Sequence, residues 1–140
     1  MQKKGGYKVI IDTNVLISSL MGKEVSKLNQ ILGEGKITII FSRESWDEFF
    51  TVVKRPKLKK YFNRDKVAIL IALLSHISEF VKVNSYVTSC RDEKDNFLLE
   101  LAKDSKADYL ISGDHDLLIL KKFGNTHIVN FNQFMKLMSL

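Results

Sequence analysis

The chain is predicted to fold as an α/β domain around a mostly parallel sheet with helices on both faces. Short β-branched runs alternate with segments of helical period, the pattern of strand–helix–strand units. The strand-like runs are continuously apolar, as expected for strands covered on both faces. Two of them, residues 8–11 and 108–112, run into aspartates, Asp12 at once and Asp114 after Gly113. Parallel strands present their C-terminal ends on one edge, where α/β sheets assemble their sites.

The elements follow in order. Residues 8–11 make the first expected strand, and a helix begins at Thr13. Val25, Leu28, Ile31 and Leu32 recur at helical spacing, and Gly33-Glu34-Gly35 ends that helix. Residues 37–41 form the second strand. Ser42 is a good N-cap for a helix with the apolar stripe Trp46, Phe49, Phe50 and Val53, and the single proline, Pro56, stops it. Val67, Leu70, Ile71, Leu74 and Ile77 mark a further helix. A third strand is expected at 80–83. Leu98, Leu101 and Ala102 mark a helix after an acidic cluster, a fourth strand covers 108–112, and a brief fifth covers 127–129. Phe131, Phe134, Met135 and Met138 form the apolar face of a last helix, available to the core or to a dimer contact.

A length of 140 residues suits one domain, 1–140, with one core, and no linker or repeat interrupts it. Apolar content of 45% and charged content of 27% are those of a globular protein. No apolar run approaches the roughly 18 residues that span a membrane, and the basic start of the chain lacks a signal-peptide core. The lone Cys90 cannot form an internal disulfide, which agrees with a cytoplasmic location. The formal net charge of +6 favours a polyanionic partner, nucleic acid being the commonest.

Within this basic chain the acids are grouped. Each has a capping reading beside a chemical one. Asp12 and Asp114 can cap the helices that follow them, Asp92 and Asp95 stand i, i+3 at a helix start, and Glu48 stands three residues after Ser45. Capping does not require so much like charge on one edge. Converging carboxylates repel unless a cation lies between them, and hard oxygen donors suit Mg²⁺ or Mn²⁺. Glu48 lies beside the aromatic stripe of its helix, from which it can reach a cleft, while Glu44 and Asp47 are expected in solvent. Asn14 and Ser112 are either turn residues or groups that orient the carboxylates. His115 reads as a loop residue or phosphate neighbour, and His76 and His127 lack zinc spacing. Lys54, Arg55, Lys57, Lys59, Lys60 and Arg64 could track a phosphate backbone with Tyr61 or Phe62 stacking on a base, or could be a solvated face. Gly-x-Gly-x-x-Gly and P-loop signatures are absent, and Asp12-Thr13-Asn14 lacks the second aspartate of an aspartyl-phosphate enzyme.

Residues 9–16 (Val-Ile-Ile-Asp-Thr-Asn-Val-Leu), Ser42 followed by Glu48, residues 90–96 with Leu98, Glu100 and Ala102, and residues 107–118 together resemble the PIN domain. The similarity spans nearly the whole chain, and it is strongest to small bacterial and archaeal PIN proteins classed as toxins of toxin–antitoxin pairs. It implies a three-layer α/β/α sandwich and a Mg²⁺- or Mn²⁺-dependent endoribonuclease that cuts single-stranded RNA. Asp12, Glu48, Asp95 and Asp114 match the family's acidic quartet, Asp92 and Asp116 match further acids of this branch, and Asn14 and Ser112 match its supporting polar positions. Glu93 departs from the family, where proline is frequent. The resemblance further implies hydrolysis leaving a 5′-phosphate, a homodimer, and silencing by a small antitoxin that covers or enters the acidic cleft. Its alternatives are a housekeeping RNA-processing nuclease, a PIN-like module that binds RNA or protein without cutting, and a structure-specific DNA nuclease.

Overall fold

The computed structural model describes residues 6–23 and 25–139. Its order is β1 (Tyr7–Ile11), α1 (Thr13–Met21), α2 (Val25–Gly33), β2 (Ile37–Phe41), α3 (Arg43–Val53), a 3₁₀ turn (Pro56–Leu58), α4 (Arg64–Ile77), β3 (Ser78–Phe80), α5 (Glu93–Ser105), β4 (Tyr109–Ile111), α6 (His115–Leu118), β5 (Lys122–Phe123), β6 (Thr126–Val129) and α7 (Phe131–Met138). The six-stranded sheet has the order β3-β2-β1-β4-β6-β5. All neighbours are parallel except β5, which runs antiparallel to β6.

The period of two along the strands divides the core into two layers. Val9, Ile11, Ile37, Ile39, Phe41 and Ile111 face one side, where they meet Leu16 and Ile17 of α1, Leu28 of α2, Phe49 and Val53 of α3, Leu74 of α4 and Phe134 of α7. Ile10, Ile40, Leu110 and Ile128 face the other, where Leu99, Leu101 and Ala102 of α5 and Leu117 of α6 cover them. Both faces of β1, β2 and β4 are largely covered, so these strands carry no polar alternation. This is the three-layer α/β/α arrangement expected from the sequence. The apolar face of α7 serves the core: Phe134 and Met138 are buried, and Phe131 and Met135 pack against the same cluster.

Two local features differ from the sequence reading. The third strand lies at Ser78–Phe80, earlier than residues 80–83. Its partner runs out: β2 ends at Phe41, whose carbonyl still accepts from Val81 N–H at 2.9 Å, and Ser42 then turns into α3. Val81 and Val83 instead pack on the α5 layer. The two-residue β5 was not anticipated, because a strand that short has no periodicity. It reaches β6 through Gly124, whose φ of +59° favours glycine.

Helix starts agree with their caps. The Ser42 side chain accepts from Ser45 N–H at 3.0 Å, while Ser42 N–H donates to Ser45 Oγ at 2.9 Å. This capping box lies one turn before the Ser45–Glu48 spacing considered from sequence, so Ser45 is already committed to Ser42.

Phe49 is fully buried, with ring centroids 6.3 Å from Phe41 and 4.8 Å from Phe50. Phe49→Ala is expected to lower unfolding free energy by about 3–5 kcal/mol in urea titration, because the cavity lies between a strand and two helices and cannot collapse freely.

A carboxylate-lined candidate site

β1 and β4 are adjacent and parallel, with Ile11 opposite Ile111. The next residue on each strand, Asp12 and Ser112, therefore arrives at the same edge. Asp12 N–H donates to Ile111 O at 2.9 Å. Ser112, fully buried, donates its hydroxyl to Asp12 Oδ2 at 3.1 Å and accepts Asp114 N–H at 3.1 Å. One hydroxyl thus orients the acid of β1 and the turn that delivers the acid after β4. Asp12 also caps α1 by accepting from Asn14 N–H, and Asp114 caps α6 by accepting from Asp116 N–H at 2.8 Å. The capping and clustering readings of these acids hold together: each aspartate has one oxygen on a helix start and a second oxygen besides.

The third contributor is α5. Asp92 caps it through Lys94 N–H at 2.9 Å, and Asp95 lies in its first turn. Asn96 pins the preceding loop, accepting from Cys90 N–H at 2.8 Å and donating to Cys90 O at 2.9 Å. Asp95 is only 4% exposed, and its Oδ2 has no hydrogen-bond partner among the described residues. Carboxylate oxygens of Asp95, Asp114 and Asp116 lie within 4.8 Å of one another. Burial, then the charges of Asp114, Asp92 and Asp12, push the Asp95 carboxyl up to about 6. Burial, then the charges of Asp95, Asp116, Asp114 and Asp92, push the Cys90 thiol up, and Asp116 raises the Arg91 guanidinium.

A cleft of about 580 Å³ opens over these residues, lined by Asp12, Asn14, Glu44, Glu48, Asp92, Asp95 and Asp114. Glu48 and Glu44 are exposed and reach it from α3, so Glu44 lines the cleft as well as meeting solvent. Asp116 stands beside Asp95 and Asp114, gripped by Arg91 at 3.0 and 3.2 Å. Sequence reasoning missed Arg91 as that partner and Asn96 as the anchor of the loop. The only signal for either was adjacency to the acidic cluster. Lys54, Arg55, Lys57, Lys59, Lys60 and Arg64 are all exposed, and the cleft lining does not include them. His115 is exposed at the start of α6.

Asp95, Asp114 and Asp116 could together hold a divalent metal ion. The donor set is entirely hard oxygen, and a buried carboxylate oxygen without a proton donor is the kind of group that a cation satisfies. Fold and site together define a parallel α/β domain with an acidic, metal-competent cleft at the C-terminal edge of its sheet. The PIN domain pattern matches residues 8–116, and the chain belongs to that family. An uncharacterized protein of Methanocaldococcus jannaschii, MJ1680, is 34% identical over 130 residues, covering 86% of this chain and 83% of that protein. Two solved structures share the fold. PAE2754 from Pyrobaculum aerophilum superposes with a TM-score of 0.58 at 12% identity, over 99% of this chain and 95% of that one. VapBC2 from Rickettsia felis, solved bound to a DNA fragment from its promoter, superposes with a TM-score of 0.56 at 14% identity, over 88% and 98%.

The buried acid sets a pH dependence. A carboxyl at about 6 in the folded chain, against an ordinary value of 3.8, holds a proton between those limits that the unfolded chain has lost. The cost of ionising Asp95 is therefore absent below about pH 4, grows as pH rises, and is complete above about pH 6, where it amounts to up to about 3 kcal/mol. Metal-free Asp95→Asn is expected to melt higher than wild type at pH 7.5, with the gap closing toward pH 4. Millimolar Mn²⁺ should raise the melting temperature of wild type and not of Asp95→Asn; equal shifts in both proteins would remove Asp95 from the metal set.

Proposed function

We propose that the chain is a metal-dependent endoribonuclease that cuts single-stranded RNA, and the toxin of a toxin–antitoxin pair. The observation that carries this is the buried, unpartnered carboxylate oxygen of Asp95 within a group of acids at the edge of a PIN-family sheet. PIN domains are generally nucleases.

In this reading Asp12, Asp95 and Asp114, with Asp116 and Asp92 beside them and Glu48 across the cleft, hold Mg²⁺ or Mn²⁺. Bound there, the ion supplies charge neutralisation and Lewis-acid polarisation at a phosphodiester. The protein's own residues do the rest. Ser112 fixes the Asp12 carboxylate through its hydroxyl and holds the Asp114 turn through its oxygen. Arg91 offsets the charge of Asp116, and Asn96 keeps the loop that carries Arg91 and Asp92 against α5. Glu48 and Glu44 on α3 form the facing wall, where a carboxylate can accept a proton from an attacking water. The product expected is a 5′-phosphate.

Phosphate would be repelled by an acidic mouth alone. The overall charge of +6 supplies the attraction, with Lys94 on the cleft wall itself. No helix among the described residues is long and apolar enough to cross a membrane. An antitoxin partner is proposed from the likeness to the VapBC2 complex, and a homodimer from the family resemblance.

Purified wild type is expected to cleave a mixed single-stranded RNA with Mn²⁺ or Mg²⁺ and to lose the activity in EDTA. Asp12→Asn should cut at least about a hundredfold more slowly, because it removes a carboxylate oxygen from the metal set. Cleavage that survives both EDTA and Asp12→Asn would refute the assignment.

A further inference from the structure

A second cavity, of about 510 Å³, adjoins the acidic cleft. The two share Asp12, Asn14 and Asp114 as a common wall, so a chain whose phosphate lies at the carboxylates has its next group at the mouth of this cavity. Its volume falls within the roughly 300–1,000 Å³ range of small-molecule sites. Its chemistry changes across that wall. Besides the acids, the lining includes Val15, the half-buried ring of Phe131, and the side-chain-free Gly22 and Gly113. Ser19 contributes no free hydroxyl, since it donates to Leu16 O at 2.8 Å within α1. Exposed Asn14, Ser18 and Lys23 complete the rim with an amide, a hydroxyl and an ammonium.

An apolar floor bearing one aromatic ring, a rim of neutral hydrogen-bonding groups, and a single cation on the side away from the carboxylates match the parts of a nucleotide. The base is flat and apolar on its faces, its edge carries donors and acceptors, and the following phosphate is anionic. A bare phosphate or a metal ion would not use the apolar floor. We propose that this cavity seats the base of the nucleotide adjoining the scissile phosphate, stacked against Phe131, with Asn14 at its edge and Lys23 toward the next phosphate. The inference rests on the single-stranded RNA reading given above and deepens it. A base can enter a side cavity only when it is unpaired, so the pocket itself selects against duplex.

The test fills the cavity from a position outside the carboxylate machinery. Ser18→Trp places an indole from exposed α1 into the space, and Ser18→Ala serves as the control. A short fluorescein-labelled single-stranded RNA is titrated by anisotropy with Ca²⁺ in place of Mn²⁺. The rise in melting temperature with millimolar Mn²⁺ reports the carboxylate cleft separately, since the metal alone needs no base. Thermal melting verifies the fold of both variants. The expected result is RNA affinity about tenfold weaker in Ser18→Trp, the size of one lost base–aromatic stack, with the Mn²⁺-induced melting shift as in wild type and Ser18→Ala unchanged. Unaltered RNA affinity in Ser18→Trp overturns the base pocket. If wild type does not cleave the RNA with Mn²⁺ while Ser18→Trp still weakens RNA binding, the nuclease reading fails and the pocket stands.

Discussion

β1 lies next to β4 with Ile11 beside Ile111, and everything at the acidic edge depends on that register. It places Asp12 level with Ser112, lets Asp12 N–H reach Ile111 O, and allows one buried hydroxyl to serve two acids. A slip of one residue would turn the side chains of β1 to the opposite layer, exchanging Val9 and Ile11 with Ile10. The two core layers therefore hold the site in place. The apolar alternation that fills them is the same constraint that prevents Asp12 from pointing anywhere else.

Concentrating like charge at this edge opposes folding, and the chain answers the opposition locally. Helix starts carry partial positive charge, and Asp12, Asp92 and Asp114 each occupy one, accepting backbone N–H groups that would otherwise lack partners. Arg91 answers Asp116 at the exposed rim. Asp95 has neither arrangement, being inside the first turn and nearly enclosed, and the strain of the cluster is therefore expressed there, in a carboxyl at about 6. A group held in that way is costly to structure and valuable to chemistry, a common trade at sites that bind cations.

Much of this was legible in the chain because it is written in short range. The strands at β1, β2, β4 and β6 announce themselves as apolar β-branched runs, and Ser42, Asp92 and Asp114 read as caps because capping depends only on neighbours. The approach of Asp12 to Asp114 followed from parallel topology rather than from any pair of residues. What escaped depends on distant partners. The end of β3 is set by where β2 stops, β5 exists only because β6 offers it an edge, and Arg91 finds Asp116 across a loop and a helix. The lining of the second cavity joins α1 to the first residue of α7, more than a hundred positions later, and no spacing rule connects Val15 with Phe131.

The outermost strands are short, three residues in β3 and two in β5. An open parallel sheet must end in strands whose outer N–H and C=O groups are unpaired, and such edges invite another molecule to add itself as a further strand. Here each edge offers too little length to template such an addition, and each bears charge, Glu79 on one and Lys122 on the other. Short, charged margins of this kind disfavour strand addition, which offsets the hazard of a core rich in isoleucine and phenylalanine.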